Sequence, residues 1–373
     1  DRNSIGDLPS TYYTWDNYDS KLLGSIDVCF GPCDNEGSIV TRTYNLNYGL
    51  AQAPNANGTI VLSNIQITGG GFTDNGIDIP ETTSPKVTFS YSAYANRVAP
   101  AGKDAFAYPR LVSINNGYGG VLNYSYETDG RGSNSWYNYR VNQVLVNNGL
   151  GVAQKKTYVY DTPVYRGEGT NTNLGELIGY TTATEFSIDP IQNSTILKIS
   201  HQFGTTGLDI GKEFITKWLS SDDSILQKKT YAYVTDNSQA PSETFNFRYL
   251  SEEANYTASG NSLSLTSKNV YFRDPATGNL TLTEEFGSTG IYRKTFYEYS
   301  PNLDSSKYIL NKATRKVVVD ANNQIFSDTR YRYDGDNGGA YEPPQKGLLT
   351  FVQKLTGKDN ETVDTTYSYD QFG

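Results

Sequence analysis

The sequence predicts an all-β chain in which consecutive hairpins pair edge to edge into one continuous coiled sheet. Three observations carry this expectation. Strand-favouring Tyr, Thr and Val are abundant, with 31 Tyr among 373 residues, while helix formers are comparatively scarce. Asn, Gly and Asp, the residues that tight turns require, punctuate the chain throughout. An aromatic-spacer-aromatic strand recurs at nearly constant spacing, the mark of a repeat architecture.

The recurring strand reads Tyr124-Ser-Tyr126, Tyr158-Val-Tyr160-Asp161, Tyr231-Ala-Tyr233 and Tyr297-Glu-Tyr299. It is clearest at Tyr331-Arg-Tyr333-Asp334-Gly335 and at Tyr367-Ser-Tyr369-Asp370-Gln-Phe-Gly373. The first tyrosines lie 34 residues apart at 124/158 and 297/331, and 36 apart at 331/367. The wider gaps each fit two units, with degenerate copies at His201-Gln-Phe203 and Val270-Tyr-Phe272. Period-2 alternation places both tyrosines of a pair on one face. Before each pair comes a Gly-led strand, as at Gly278–Phe286 and Gly347–Leu355, then a turn such as Asp320–Asn323 or Gly357–Asn360. That order is a β-hairpin. A single hairpin cannot bury its own face, so neighbours must pair.

A Gly-led strand, a turn and a closing Tyr-X-Tyr-Asp-X-X-Gly resemble the YD repeat of the rearrangement-hotspot (Rhs) proteins. The resemblance covers residues 108–373, entered through Tyr108–Gly120. It implies a wall segment of a hollow β-shell that encloses or displays another part of a secreted or surface polypeptide. Residues 1–107 carry no clear copy, although Val87-Thr-Phe-Ser-Tyr91 resembles a closing strand. They read as a β region that precedes or caps the shell, with a linker near residues 96–109 rich in Pro, Ala and Gly.

Composition excludes some partners. A formal charge of −9 offers no basic stripe for nucleic acid. No apolar run approaches the roughly 20 residues of a membrane-spanning helix. The chain starts at Asp1 and has no Met, which reads as a processed product or a fragment. The expected partners are the rest of the same polypeptide, copies of this chain in a fibre, or glycans. Cys29 and Cys33 flank Gly31-Pro32. They are a candidate disulfide, which would indicate an oxidising compartment; a metal half-site and two free thiols are the alternatives.

No cofactor and no catalytic centre is expected. His201 is the only imidazole and occupies an aromatic slot of a repeat. No Gly-X-Ser-X-Gly elbow is present. The pairs Asp222-Asp223, Glu252-Glu253 and Glu284-Glu285 alternate faces on a strand, which makes poor glycosidase dyads. Asp334-Gly-Asp336 lacks the later ligands of a calcium loop. Gly69–Gly71 is not followed by the Lys-Ser/Thr of a phosphate loop. Asp274-Pro-Ala-Thr-Gly278 reads as an inter-hairpin turn. Candidate glycosylation sequons lie at Asn57, Asn123, Asn193, Asn255, Asn279 and Asn360.

Overall fold

The computed structural model describes residues 22–30, 33, 39–50, 59–74, 77–95, 107–128, 138–151, 153–165, 177–236, 247–260, 262–335, 342–356 and 361–370. The chain divides into two compact units, Asp1–Lys198 and Ile199–Gly373. This division does not fall at the 107/108 boundary read from the repeats. Asn57, Asn360 and Gly373 lie outside the described residues.

The first unit holds β1 (Ser25–Phe30), β2 (Ile39–Leu50), β3 (Ile60–Gly69), β4 (Phe72–Asp74), β5 (Ile77–Ile79) and β6 (Thr82–Thr83). It continues through β7 (Val87–Ala95), β8 (Ala107–Asn115), β9 (Val121–Thr128), β10 (Tyr139–Asn147), β11 (Ala153–Tyr165) and β12 (Leu177–Ile188). Strand β13 (Thr195–Phe203) crosses the division. The second unit holds β14 (Glu213–Leu219), β15 (Ile225–Asp236), β16 (Phe247–Ser259), β17 (Ser262–Arg273) and β18 (Leu280–Gly287). It ends with β19 (Gly290–Tyr299), β20 (Ala313–Asp320), β21 (Ile325–Tyr333), β22 (Leu349–Leu355) and β23 (Thr362–Thr366). One three-residue 3-10 turn, Gly207–Asp209, is the single helical element among the described residues.

The all-β expectation holds. Twenty-one strands belong to one antiparallel sheet of consecutive hairpins, and β4 and β5 form a separate ribbon. In the first unit the ladder runs β1–β2–β3–β7–β8–β9–β10–β11–β12. In the second it runs without a break from β14 to β23. Short turns close the hairpins, and longer connections lead to the next hairpin.

The turn chemistry explains the hairpins. Asn115 and Asn116 each accept an N–H from two residues on, from Gly117 and Tyr118; Asn147 and Asn148 do the same with Gly149 and Leu150. Asn193, Asp223 and Asn323 take the left-handed backbone at three further turns, with φ of 53°, 69° and 64°, a conformation that Asn and Asp tolerate. Gly70 is fixed by space instead: a Cβ there would lie 1.8 Å from the Val40 carbonyl oxygen.

The sheet has almost no dry core. Among the described hydrophobic residues only Ala107, Tyr165, Ala254, Val317 and Val319 are buried, and none of the large ones is fully buried. Cohesion must therefore come from cross-strand contacts and hydrogen bonds between neighbouring strands.

Candidate functional site: the joint between hairpins

The joint begins where a hairpin ladder ends. The last pairs are Ser25↔Asn45, Asn64↔Thr88, Ser113↔Asn123 and Gln143↔Thr157 in the first unit. In the second they include Ile215↔Thr230, Leu282↔Phe296, Arg315↔Arg330 and Phe351↔Thr366. One position past the closing residue stands the first residue of each aromatic pair, and three past it stands the second.

The second tyrosine has a fixed partner. At seven joints its hydroxyl donates to the backbone carbonyl two residues before the last paired residue of the opening strand; Tyr299 on β19 makes no such bond. Tyr126 donates to Leu111 at 2.7 Å, Tyr160 to Val141 at 2.8 Å and Tyr233 to Glu213 at 3.0 Å. Tyr333 donates to Ala313 at 2.9 Å and Tyr369 to Leu349 at 2.7 Å. The same offset recurs where the repeat was not legible: Tyr91 donates to Leu62 at 2.9 Å and Tyr48 to Leu23 at 3.1 Å. Residues 1–107 thus contain two copies of the joint, Leu46-Asn-Tyr48 and Phe89-Ser-Tyr91, with an aliphatic or Phe residue in the first slot.

Five of the seven acceptors, Leu62, Leu111, Val141, Ala313 and Leu349, adjoin a β-bulge. In the second unit every closing strand meets the next opening strand with one residue looped out, namely Ser251, Thr281, Thr314 or Thr350. In the first unit Ser63, Val112 and Asn142 are the bulged residues. A bulge interrupts the ladder and leaves carbonyls without strand partners. Where the bulged residue is Ser63, Ser251, Thr281 or Thr350, its hydroxyl donates to the facing carbonyl, of Asn47, Ala232, Phe272 or Arg332, at 2.9–3.4 Å. The tyrosine hydroxyl serves a second carbonyl exposed by the same interruption. Both hydroxyls satisfy groups that would otherwise be desolvated without a partner, which costs roughly 1–3 kcal/mol each.

Electrostatics suit a donor role. Burial raises the phenol pKa of Tyr91, Tyr126, Tyr160 and Tyr233, and pushes that of Tyr333 up to about 12. Those hydroxyls keep their protons at any ordinary pH. Aromatic contacts add to the clasp: Tyr94 lies 5.4 Å from Tyr126 and 4.9 Å from Tyr139, and Tyr160 lies 5.0 Å from Tyr180. The Arg140 guanidinium sits over both Tyr160 and Tyr180, at 5.0 and 4.8 Å.

The first tyrosines share their face with ion pairs. Tyr158 stands opposite Glu185, which meets Lys156 at 2.7 Å. Tyr231 stands opposite Glu253, which meets Lys229 at 3.1 Å. Tyr297 lines a shallow hollow of about 310 Å³ with Thr283, Glu285, Arg293, Thr295, Lys316 and Val318. Glu285 is already held there by a bidentate bond from Arg293.

The aspartates that follow the pairs do not share one role. Asp334 takes φ of 58° and accepts backbone N–H bonds from Gln345, Lys346, Gly347 and Leu348 at 2.6–3.1 Å. Burial opposes its charge, but those four donors prevail and hold the carboxyl below the usual range. It thereby fixes the start of the next opening strand. Asp161 instead continues β11 opposite Thr182, and Asp370 lies just beyond β23.

Two degenerate copies read differently in the structure. The slots of the β16–β17 hairpin, whose last pair is Glu252↔Val270, fall on Tyr271 and Arg273. The aromatic copy expected at residues 270–272 is therefore displaced by one residue. Arg273 does not take over the clasp: it bonds the Gly278 carbonyl in the following turn at 2.9 Å, not the Leu250 carbonyl across the joint. His201 stacks on Phe203 at 6.3 Å, and its Nδ1 lies 2.6 Å from Glu213 Oε1. Thr216 donates to that same oxygen at 2.5 Å, so the carboxylate separates hydroxyl from imidazole and no Ser-His-acid relay geometry results.

Other expected residues are placed as follows. Cys29 and Cys33 form a disulfide with Cα atoms 5.4 Å apart. Glu252 and Glu253 point to opposite faces, toward Lys268 and Lys229. Asp274 closes its turn by accepting from Ala276 and Thr277. Asn193 is exposed, whereas Asn123 and Asn255 sit half-buried in strands. Asn279 is buried and donates to the Leu310 carbonyl at 2.7 Å. No helix among the described residues is long and apolar enough to cross a membrane.

No protein-family model matches the chain, and no curated protein matches it. Among solved structures it is similar to TcdB2-TccC3-TEV, with a TM-score of 0.51 at 9% sequence identity. That likeness covers 84% of this chain but only 22% of the other, so the chain spans about a fifth of that structure's length. A porin-like protein from Bacteroides uniformis aligns over 92% of this chain and 94% of its own, at 10% identity and a TM-score of only 0.22. The first likeness is one of fold, a related β-sheet architecture.

Proposed function

We propose that the chain is a structural wall segment of an Rhs-like repeat protein, outside the cytoplasm, that encloses or displays another domain and performs no chemistry itself. The observation that carries this reading is the joint. Seven tyrosine hydroxyls make the same backbone bond at the same offset, so conserved geometry is spent on holding hairpin to hairpin. The fold likeness to TcdB2-TccC3-TEV supports a related β architecture, and the Cys29–Cys33 bond supports an oxidising compartment.

A wall separates two environments, which gives the test. Val318 lies on the tyrosine-bearing face, opposite Thr295, and Val234 is exposed on the other face. Val318→Cys and Val234→Cys would be made in the polypeptide as its source cell produces it. Each would be treated with a small maleimide and with one carrying a long polymer. A wall predicts that both sites take the small reagent and that only one takes the large one. Equal reaction of both faces with the large reagent would sink the proposal.

A further inference from the structure

We infer that the tyrosine-bearing face of β19–β22 binds an acidic glycan, an extended β-linked chain with a carboxylate on every second sugar. The strip is built on one straight row of facing residues. Tyr297 pairs with Lys316, Lys316 with Thr329, and Thr329 with Lys354. Facing residues share a side of the sheet, so all four stand on the tyrosine-bearing face, and Tyr331, two residues past Thr329, stands beside them. At one end the row enters the hollow of about 310 Å³ that Tyr297 and Lys316 line with Thr283 and Thr295, at the small end of ligand pockets. The inference goes beyond the wall reading and does not rest on it, since a wall of any content can carry a binding strip on one face.

Charge decides the class of ligand. Glu285 is neutralised by Arg293, and Asp320 is engaged by the N–H groups of its own turn. The pairs that Arg315 makes with Glu298 and Asp328 lie on the other face. Lys316 and Lys354 meet no carboxylate within ion-pair distance among the described residues; the Lys316 ammonium lies 5.8 Å from the Tyr297 ring. Two cations are thus left over on a chain of net charge −9. They stand two strands apart, which is about 10 Å and close to one disaccharide of an extended β-linked glycan. A nucleic-acid duplex, with a charge every ~1.7 Å, calls for a denser stripe.

The aromatic groups fit the same ligand. A sugar ring has C–H faces and a rim of hydroxyls, which a tyrosine meets with its ring and its own hydroxyl. Tyr297 and Tyr331 are half-buried and also stand two strands apart. They occupy first slots, so neither makes the clasp bond, and burial raises both phenols and keeps each hydroxyl a donor. The hydroxyls of Thr283 and Thr329 border them on the same face.

The experiment titrates the whole chain by calorimetry with a hyaluronan octasaccharide, which is β-linked and carries one carboxylate per disaccharide. Saturable binding is expected. Lys316→Gln or Lys354→Gln should weaken it by about two- to fivefold, the worth of one exposed ion pair. The carboxyl-reduced octasaccharide keeps the sugars and loses the charges, and should bind about tenfold more weakly because both pairs are gone. Tyr331→Phe should weaken both sugars alike, by about two- to tenfold for one hydrogen bond. Lys294→Gln, on the same sheet but facing Glu284 and Val319 on the other side, should change nothing. Absence of saturable binding overturns the inference. So does equal affinity for the reduced sugar, or an equal loss on Lys294→Gln. A poly-glutamate peptide that binds as tightly through the same lysines would mean a site for acidic peptides, and overturns it too. The reduced sugar needs no variant, so a lysine substitution that misfolds leaves the test intact.

Discussion

Replacing Tyr333 by Phe isolates the hydroxyl of one joint, since the ring and its packing remain. The bond lost is the 2.9 Å donation to the Ala313 carbonyl. Tyr333 is half-buried and burial has pushed its pKa up to about 12, so water cannot readily replace the donor. A net hydrogen bond contributes about 0.5–1.5 kcal/mol, and leaving the carbonyl unpaired adds to the loss; about 1–2 kcal/mol is expected. That corresponds to about a 5- to 30-fold rise in local opening. A repeat ladder need not unfold in two states, so the proper assay is amide hydrogen exchange over β20 and β21, not a global midpoint. Tyr369→Phe is the internal control. It makes a bond of 2.7 Å, but Tyr369 lies just past the end of β23 and is 42% exposed, so water compensates and the effect should stay below about 0.5 kcal/mol. If exchange in β20 and β21 is unchanged by Tyr333→Phe, or if Tyr369→Phe costs as much, the hydroxyl is not the clasp described.

Three further outcomes follow from the same geometry. Tyrosine pKa values raised by folding mean that the unfolded chain loses its phenol protons first; the stability they confer is intact below about pH 10 and lost as pH rises toward about 12, which circular dichroism with phenolate absorbance should record as a steep alkaline transition. Thr281→Val keeps the shape of a bulged residue but removes its bond to the Phe272 carbonyl, for a loss of about 0.5–1.5 kcal/mol, and Thr281→Ser should restore most of it in exchange measurements on β17 and β18. Expressed through a glycosylating secretory route, the chain should carry sugar at Asn193, exposed in its turn, and none at Asn279, buried and bonded to Leu310; mass spectrometry of the peptides would show a modified Asn279 if this reading is wrong.

Much of the fold could be read in the sequence because its signals are local. Alternation placed Tyr331 and Tyr333 on one face, and Asn, Asp and Gly marked the turns. The joint could not be read, because a bulge shifts pairing by one residue and leaves no fixed residue type behind it: Ser63, Val112, Asn142 and Thr314 all occupy that position. The first slot matters less than a pair of tyrosines suggests. Leu46 and Phe89 fill it as well, since that residue only packs, whereas the second must donate a hydrogen bond across the interruption. The aromatic copy at residues 270–272 lies one residue off the slots, because Arg273 takes the second slot and spends its bond on Gly278 in the following turn instead of on the carbonyl across the joint. Asp334 and Asp161 look alike in sequence and part company only when the connection after β21 folds back over the Asp334 carboxylate.

The offset shared by seven of the joints carries a consequence for how such a chain can change in length. Between β3 and β7 the chain makes an excursion through β4, β5 and β6, yet Tyr91 still reaches Leu62 at the same offset. The connections can therefore absorb insertions of any content, while a strand cannot gain or lose even one residue without misaligning a donor and its carbonyl. Whole hairpins, by contrast, are most readily exchanged at the seven joints where a tyrosine and its carbonyl keep the same offset. Copy number is then the variable most open to duplication, recombination and loss, and the sequence between the clasps can drift widely.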